Sequence, residues 1–147
     1  MNSPTILLVE DNESDIFLTT EILTDAGIES GINVVLDGEQ AMDYILKRNK
    51  FIDAQTPELI VLDINLPKID GKEILRFIKS EKQFSAIPVI MYTSSNSADD
   101  KTFCADFKAD LYIVKADSVE AINNTVNLFK QIIFNSFRSY SPYFEAN

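Results

Sequence analysis

The sequence predicts an α/β fold, with five parallel strands alternating with five helices in a doubly wound sandwich. Three observations carry that prediction. Short β-rich runs that are apolar throughout recur along the chain, as in parallel strands buried on both faces. Thr5-Ile6-Leu7-Leu8-Val9 and Glu58-Leu59-Ile60-Val61-Leu62 are the clearest of them. Segments with apolar residues at helical spacing lie between the runs. Two runs end directly in acids, Glu10-Asp11 after the first and Asp63 after the other.

The elements follow in order. Thr5–Val9 is the first strand, and Asn12 can cap a helix that reaches about Ala26, with Gly27 as its stop. Ile32–Leu36 is the second strand. Gly38–Lys47 is a short helix whose Ala41, Met42, Ile45 and Leu46 share one face. A polar loop from Arg48 to Pro57 leads to the third strand, Leu59–Leu62. A Pro67–Gly71 turn then enters a helix with Ile74, Leu75 and Ile78 inward. Ile87–Tyr92 is the fourth strand. Ser97 caps a polar helix whose first turn carries Asp99 and Asp100, acids that suit a helix N-terminus. Leu111–Val114 is the fifth strand. Asp117 and Glu120 resemble a capping box for a last helix with Val119, Ile122, Val126, Phe129 and Ile133 at helical spacing. Right-handed crossovers between five such units give strand order 2-1-3-4-5, the flavodoxin-like order, with its switch point between strands one and three. The rival dinucleotide-binding order lacks its fingerprint, since no G-x-G-x-x-G follows the first strand.

Length and composition narrow the function. The 147 residues fit one domain with a real core, and 46% hydrophobic and 24% charged residues are ordinary for a globular protein. No apolar run approaches membrane-spanning length and no signal pattern opens the chain, so a cytoplasmic protein is expected. The single cysteine, Cys104, fits a reducing compartment. A net charge of −10 argues against a nucleic-acid-binding face. The chain contains no histidine, which excludes Ser-His-Asp or Cys-His catalysis and imidazole metal sites. Any histidine chemistry must come from a partner.

In open α/β sheets, ligands bind at the C-terminal edge of the strands. Glu10, Asp11 and Asp63 would converge there, joined by Thr93 after the fourth strand and Lys115 after the fifth. At about 4 Å and an effective dielectric near 20, two like charges repel by about 4 kcal/mol. A hard divalent cation such as Mg²⁺ removes that conflict while keeping room for waters and phosphate oxygens. A carboxylate can also act as a nucleophile and form an acyl phosphate. Lys115 would then neutralise one phosphoryl oxygen, while the Thr93 hydroxyl and the following backbone N–H, that of Ser94, would bind another. Each residue alone has a plainer reading: Asp11 or Asn12 as a helix cap, Lys115 as a solvated lysine, Thr93-Ser94-Ser95 as ordinary loop. The coincidence at four strand ends favours a phosphoryl or metal site.

At these residues the chain resembles the response-regulator receiver domains of bacterial two-component systems, over roughly Thr5 to Phe134. The segment LLVEDNESD resembles the family's acidic pair and LIVLDINLPKIDG its phospho-acceptor segment. IPVIMYTSS resembles the hydroxyl strand and LYIVK the lysine strand. The resemblance implies a phosphorylated aspartate at Asp63, and Mg²⁺ held by Glu10, Asp11, Asp63 and the Asn65 backbone carbonyl. Glu10 would act directly or through water. Thr93 would be the switch hydroxyl, Lys115 the phosphoryl-pairing amine and Tyr112 the switch aromatic, although a core or edge aromatic serves equally for Tyr112. It implies a sensor histidine kinase or histidine phosphotransfer protein as phosphodonor, and the pattern is similar to stand-alone receivers paired with phytochrome-type kinases. Two departures stand out. Ala116 follows Lys115 where the family usually has proline, often after a cis bond, so the Lys115–Ala116 bond is left open between cis and trans. Lys108-Ala109-Asp110 replaces the usual glycine before the fifth strand.

A receiver domain over 1–134 and an aromatic tail over 135–147 are expected. Phe134, Phe137, Tyr140, Tyr143 and Phe144 crowd that end. They imply either a homodimer through the last helix and tail or a tail folded back on its own domain. No DNA-binding or catalytic unit is read after the last helix, so output by protein contact is expected. Three functions compete: a phospho-switch that is not an enzyme, a phosphorylation-independent docking adaptor, and an aspartyl-intermediate phosphatase or flavin carrier. The last pair is disfavoured. No phosphate loop follows the first strand, and Asn65 stands where a dehalogenase-type phosphatase has its second acid.

Overall fold

The computed structural model describes residues 4–137. Its sheet holds β1 (Ile6–Val9), β2 (Ile32–Val35), β3 (Leu59–Leu62), β4 (Val89–Thr93) and β5 (Leu111–Val114), all parallel, in the order β2-β1-β3-β4-β5. The helices between and after them are α1 (Glu13–Asp25), α2 (Gly38–Ile45), α3 (Gly71–Ser80), α4 (Ala98–Asp106) and α5 (Val119–Ser136). The predicted class and strand order are those observed.

The central strands split their side chains by the period of two. Leu7, Val9, Ile60, Leu62, Val89 and Met91 face one core with residues of α2, α3 and α4, including Ile45, Ile74, Leu75, Ile78 and Cys104. Ile6, Leu8, Leu59, Val61, Ile90 and Tyr92 face the other with residues of α1 and α5, including Ile22, Leu23, Val126, Phe129 and Ile133. This double burial is why β1, β3 and β4 read as continuous apolar runs. At the sheet edge, β2 leaves Asn33 and Val34 exposed.

Local chemistry fixes the ends. The Asn12 side chain accepts the Asp15 N–H at 2.9 Å and starts α1, and Gly27, with φ 111°, follows its end. Ser97 caps α4 as expected, accepting the Asp100 N–H at 3.2 Å. The fourth strand begins two residues later than expected, at Val89, because Pro88 has no N–H to give a ladder. The polar loop before β3 contains a 3-10 turn, Asn49–Phe51. The last helix corrects two expectations. Its cap is Ser118, whose hydroxyl accepts the Ala121 N–H at 3.1 Å, and not Asp117. Val119, the first residue of α5, is 76% exposed, whereas Val126, Phe129 and Ile133 are buried. Phe137 is buried after α5 and Phe134 packs against the same core, while Tyr140, Tyr143 and Phe144 lie outside the described residues. No helix among the described residues is long and apolar enough to cross a membrane.

Candidate functional site

The sheet register sets the strand ends level. Glu10 N–H reaches Val35 O at 3.1 Å, Asp63 N–H reaches Val9 O at 3.2 Å, and Lys115 N–H reaches Thr93 O at 2.7 Å. Glu10, Asp11, Asp63, Thr93 and Lys115 therefore come together at the C-terminal edge.

Glu10 is buried, and the turn into α1 wraps round it: its Oε2 accepts the Asp11 and Asn12 N–H groups at 3.0 and 3.1 Å. Its Oε1 accepts a hydrogen bond from Lys115 Nζ. Asp63 is also buried; Oδ1 accepts the Ile64 N–H at 2.7 Å and Oδ2 accepts from Lys115 Nζ at 3.1 Å. Asp11 is exposed at the mouth. One carboxylate oxygen from each of Glu10, Asp11 and Asp63 lies within 4.8 Å of the other two. At that spacing and an effective dielectric near 20, each pair of ionised carboxylates repels by about 3–4 kcal/mol. Burial pushes the Glu10 carboxyl above its ordinary value, opposed by its bonds to Lys115 and to the Asn12 backbone. Burial alone would pull the Lys115 ammonium down. Its bond to Glu10 and the charge of Asp63 outweigh that and hold it above the usual lysine range. The lysine is thus held charged by acids that outnumber it. Such a set of hard oxygen donors fits a divalent cation of the Mg²⁺ or Mn²⁺ kind.

Two residues that the sequence reading did not single out complete the pocket. Asp15, in the first turn of α1, places Oδ2 at 3.0 Å from Lys115 Nζ. Its only signal in the sequence is its spacing: three residues past the Asn12 cap, it is turned back toward the strand ends. Gly71 starts α3 against the acceptor loop, where a Cβ would stand 1.9 Å from the Asp63 carbonyl oxygen, and its N–H donates to Ile64 O at 2.8 Å. Any side chain at 71 would push that loop away. Asn65 is exposed in the same loop.

On the other flank, Thr93 is buried at the end of β4, and its Oγ1 accepts the Ser95 N–H at 3.3 Å. Ser94 is exposed. The half-buried Tyr112 donates its hydroxyl to Ser95 O at 2.9 Å. Ser95 donates its own hydroxyl to Asp100 Oδ2 at 2.5 Å, and Lys72 closes on Asp100 Oδ1 at 2.8 Å. The residue in place of the usual glycine, Lys108, takes a left-handed φ of 64°. Ala116 does not prevent Lys115 from reaching the acids.

The chain belongs to the response regulator family: residues 6–127 match the response regulator receiver domain. It is similar to response regulator Rcp1 of Synechocystis sp., with 34% identity over 127 residues, 86% of this chain and 82% of Rcp1. Among solved structures it is similar to the phosphorylated cyanobacterial phytochrome response regulator RcpA. The TM-score is 0.80 and the identity 33%, covering 95% of this chain and 98% of that one. The Mn(2+)-bound form of Rcp1 gives a TM-score of 0.79 at 32% identity, covering 94% and 96%. Receiver domains are signalling modules of two-component systems and bind divalent cations at an acidic pocket of the kind formed by Glu10, Asp11 and Asp63.

Proposed function

We propose that this chain is a phospho-switch: Asp63 accepts a phosphoryl group from a histidine kinase or histidine phosphotransfer protein, and the change is read by protein contact. One observation carries the reading. The buried Asp63 carboxylate lies at a strand-end pocket with Glu10 and Asp11 within 4.8 Å and the Lys115 ammonium at 3.1 Å. Each Asp63 oxygen accepts one protein hydrogen bond, which leaves a lone pair on each for attack. An Asp63 oxygen forms the new O–P bond as the donor's P–N bond breaks. The departing imidazole nitrogen keeps the electron pair and takes a proton from water. Mg²⁺, held by Glu10, Asp11, Asp63 and the Asn65 carbonyl, would supply charge neutralisation for the phosphoryl oxygens. Lys115 pairs with one of those oxygens. The Thr93 hydroxyl donates to another, as does the Ser94 N–H, and the Thr93 oxygen keeps its lone pairs for the Ser95 N–H. Ser95 is hydrogen-bonded to both Thr93 and Tyr112, so a movement of Thr93 toward the phosphoryl group is carried through Ser95 to the face formed by α4 and β5. The phytochrome regulators among its structural neighbours support a phytochrome-type kinase as donor.

A cytoplasmic location goes with this reading. A homodimer through the last helix and tail belongs to the same proposal; on α5, Val119 and Leu128 are exposed large apolar side chains. Phe134 and Phe137 are taken up by the chain's own core. The intact acid pocket favours the switch over a phosphorylation-independent adaptor. Intact-mass measurement after incubation with acetyl phosphate and Mg²⁺ tests it. A phosphate-sized gain that is lost in Asp63→Asn is expected. No gain at any Mg²⁺ concentration would leave the adaptor.

A further inference from the structure

Lys115 has three ammonium hydrogens and three carboxylate partners: Glu10, Asp63 at 3.1 Å and Asp15 at 3.0 Å. Every donor is engaged before any phosphoryl group arrives. This inference rests on the phospho-switch reading, in which a phosphoryl oxygen must take one of those hydrogens. The three acids differ in what they would lose. Glu10 is buried, so surrendering the lysine would strand a charge in the interior. Asp63 is the reacting group, and its own hydrogen is the one nearest the new phosphoryl oxygens. The Asp15 side chain is 36% exposed, so water can replace the lysine there at little cost. Asp15 lies in the first turn of α1, outside the trio that would hold the cation. Yet it adds a further negative charge on the lysine that must meet a phosphoryl dianion.

We propose that Asp15 is a positioning residue that restrains the switch: it holds Lys115 toward α1 and competes with the phosphoryl group for it. Neutralising it frees one ammonium hydrogen and removes one repulsive charge, so the phosphorylated geometry becomes easier to reach. A residue that merely propped up the fold would have the opposite effect, since its loss would loosen Lys115 and weaken the site. The two roles therefore differ in sign.

Beryllofluoride, a phosphoryl mimic, is the probe, titrated into the full chain at fixed Mg²⁺ and followed by calorimetry and ¹⁹F NMR. Asp15→Asn is expected to bind about three- to fivefold more tightly than the unmodified chain, the scale of a half-exposed ion pair. Asp15→Ser is expected to match it, and Asp15→Glu, which keeps the charge, to stay within about twofold of the unmodified chain. The gain should shrink as salt is raised from about 0.05 to 0.5 M, because the competition is between charges. Equal or weaker binding by both neutral variants, with normal binding by the unmodified chain, overturns the restraint and leaves Asp15 an anchor. Absence of binding by every form, the unmodified chain included, overturns the phospho-switch reading together with it.

Discussion

Two lysines with side chains only 10% exposed sit at opposite ends of the same sheet, and they differ in what surrounds them. At the N-terminal edge, Lys79 meets one acid, Asp110 at 3.0 Å, and two backbone carbonyls, Ile87 O at 2.7 Å and Ser85 O at 3.3 Å. Asp110 in turn accepts the Val89 N–H at 2.8 Å. That cation ties the end of α3 to the entries of β4 and β5, and its charge is matched one for one. At the C-terminal edge, Lys115 meets three acids, with Asp11 close by as a fourth. Its charge is outnumbered. A buried lysine is thus no sign of function by itself; the unbalanced charge around it is. A balanced pair holds structure, and an unbalanced one leaves room for a cation or a phosphoryl group.

The largest expected effect separates the two lysines by chemistry. Lys115→Met should slow phosphorylation of Asp63 by acetyl phosphate about 100-fold, the usual scale for losing a donor aimed at developing charge. Lys79→Met should leave that rate within about twofold. Intact mass followed in time reads both. An equal fall in the two variants would break the comparison, since it would make Lys115 only another structural pin.

The next effect reverses the order. Lys79→Met should lower unfolding free energy by about 1–3 kcal/mol in urea denaturation, because two carbonyls and an acid lose a partner that is largely shielded from water. The loss should be the same with and without Mg²⁺, since the site is at the other edge. A loss that Mg²⁺ repairs would show that the two ends of the sheet are coupled.

The asymmetry was only partly legible in the sequence. The strand ends were, because double burial makes β1, β3 and β4 apolar throughout and the first acid or hydroxyl after each run marks the edge. Strand order followed from the alternation of elements and brought Glu10, Asp11, Asp63, Thr93 and Lys115 together. Asp15 was hidden because its partner lies 100 residues away, and only the tertiary fold turns the first turn of α1 toward Lys115. Gly71 read as a turn glycine; that its hydrogen faces the Asp63 carbonyl depends on how closely α3 approaches β3. At the last helix, Asp117 and Ser118 both have capping side chains, and the backbone chose the serine. Helical spacing alone cannot tell that Val119 stays exposed at the start of α5.

The smallest expected effect belongs to a third lysine and sharpens the rule from the weak side. Lys72 pairs one for one with Asp100 across α3 and α4, with side chains 31% and 17% exposed. The bond from Lys72, then that from the Ser95 hydroxyl, holds the Asp100 carboxyl below its ordinary value of 3.8. A carboxyl depressed in the folded state binds fewer protons there than in the unfolded chain. Its contribution is therefore present above the ordinary carboxylate range and lost as pH falls through the folded value. Asp100→Asn should accordingly lower Tm by only about 1–3 °C near neutral pH, and the gap should close as pH falls below the ordinary carboxylate value and through the lower folded one. Thermal melts of both chains across that range measure it. A gap that persisted in acid would mean that Asp100 stabilises α4 through its place in the helix and Ser95, rather than through the lysine.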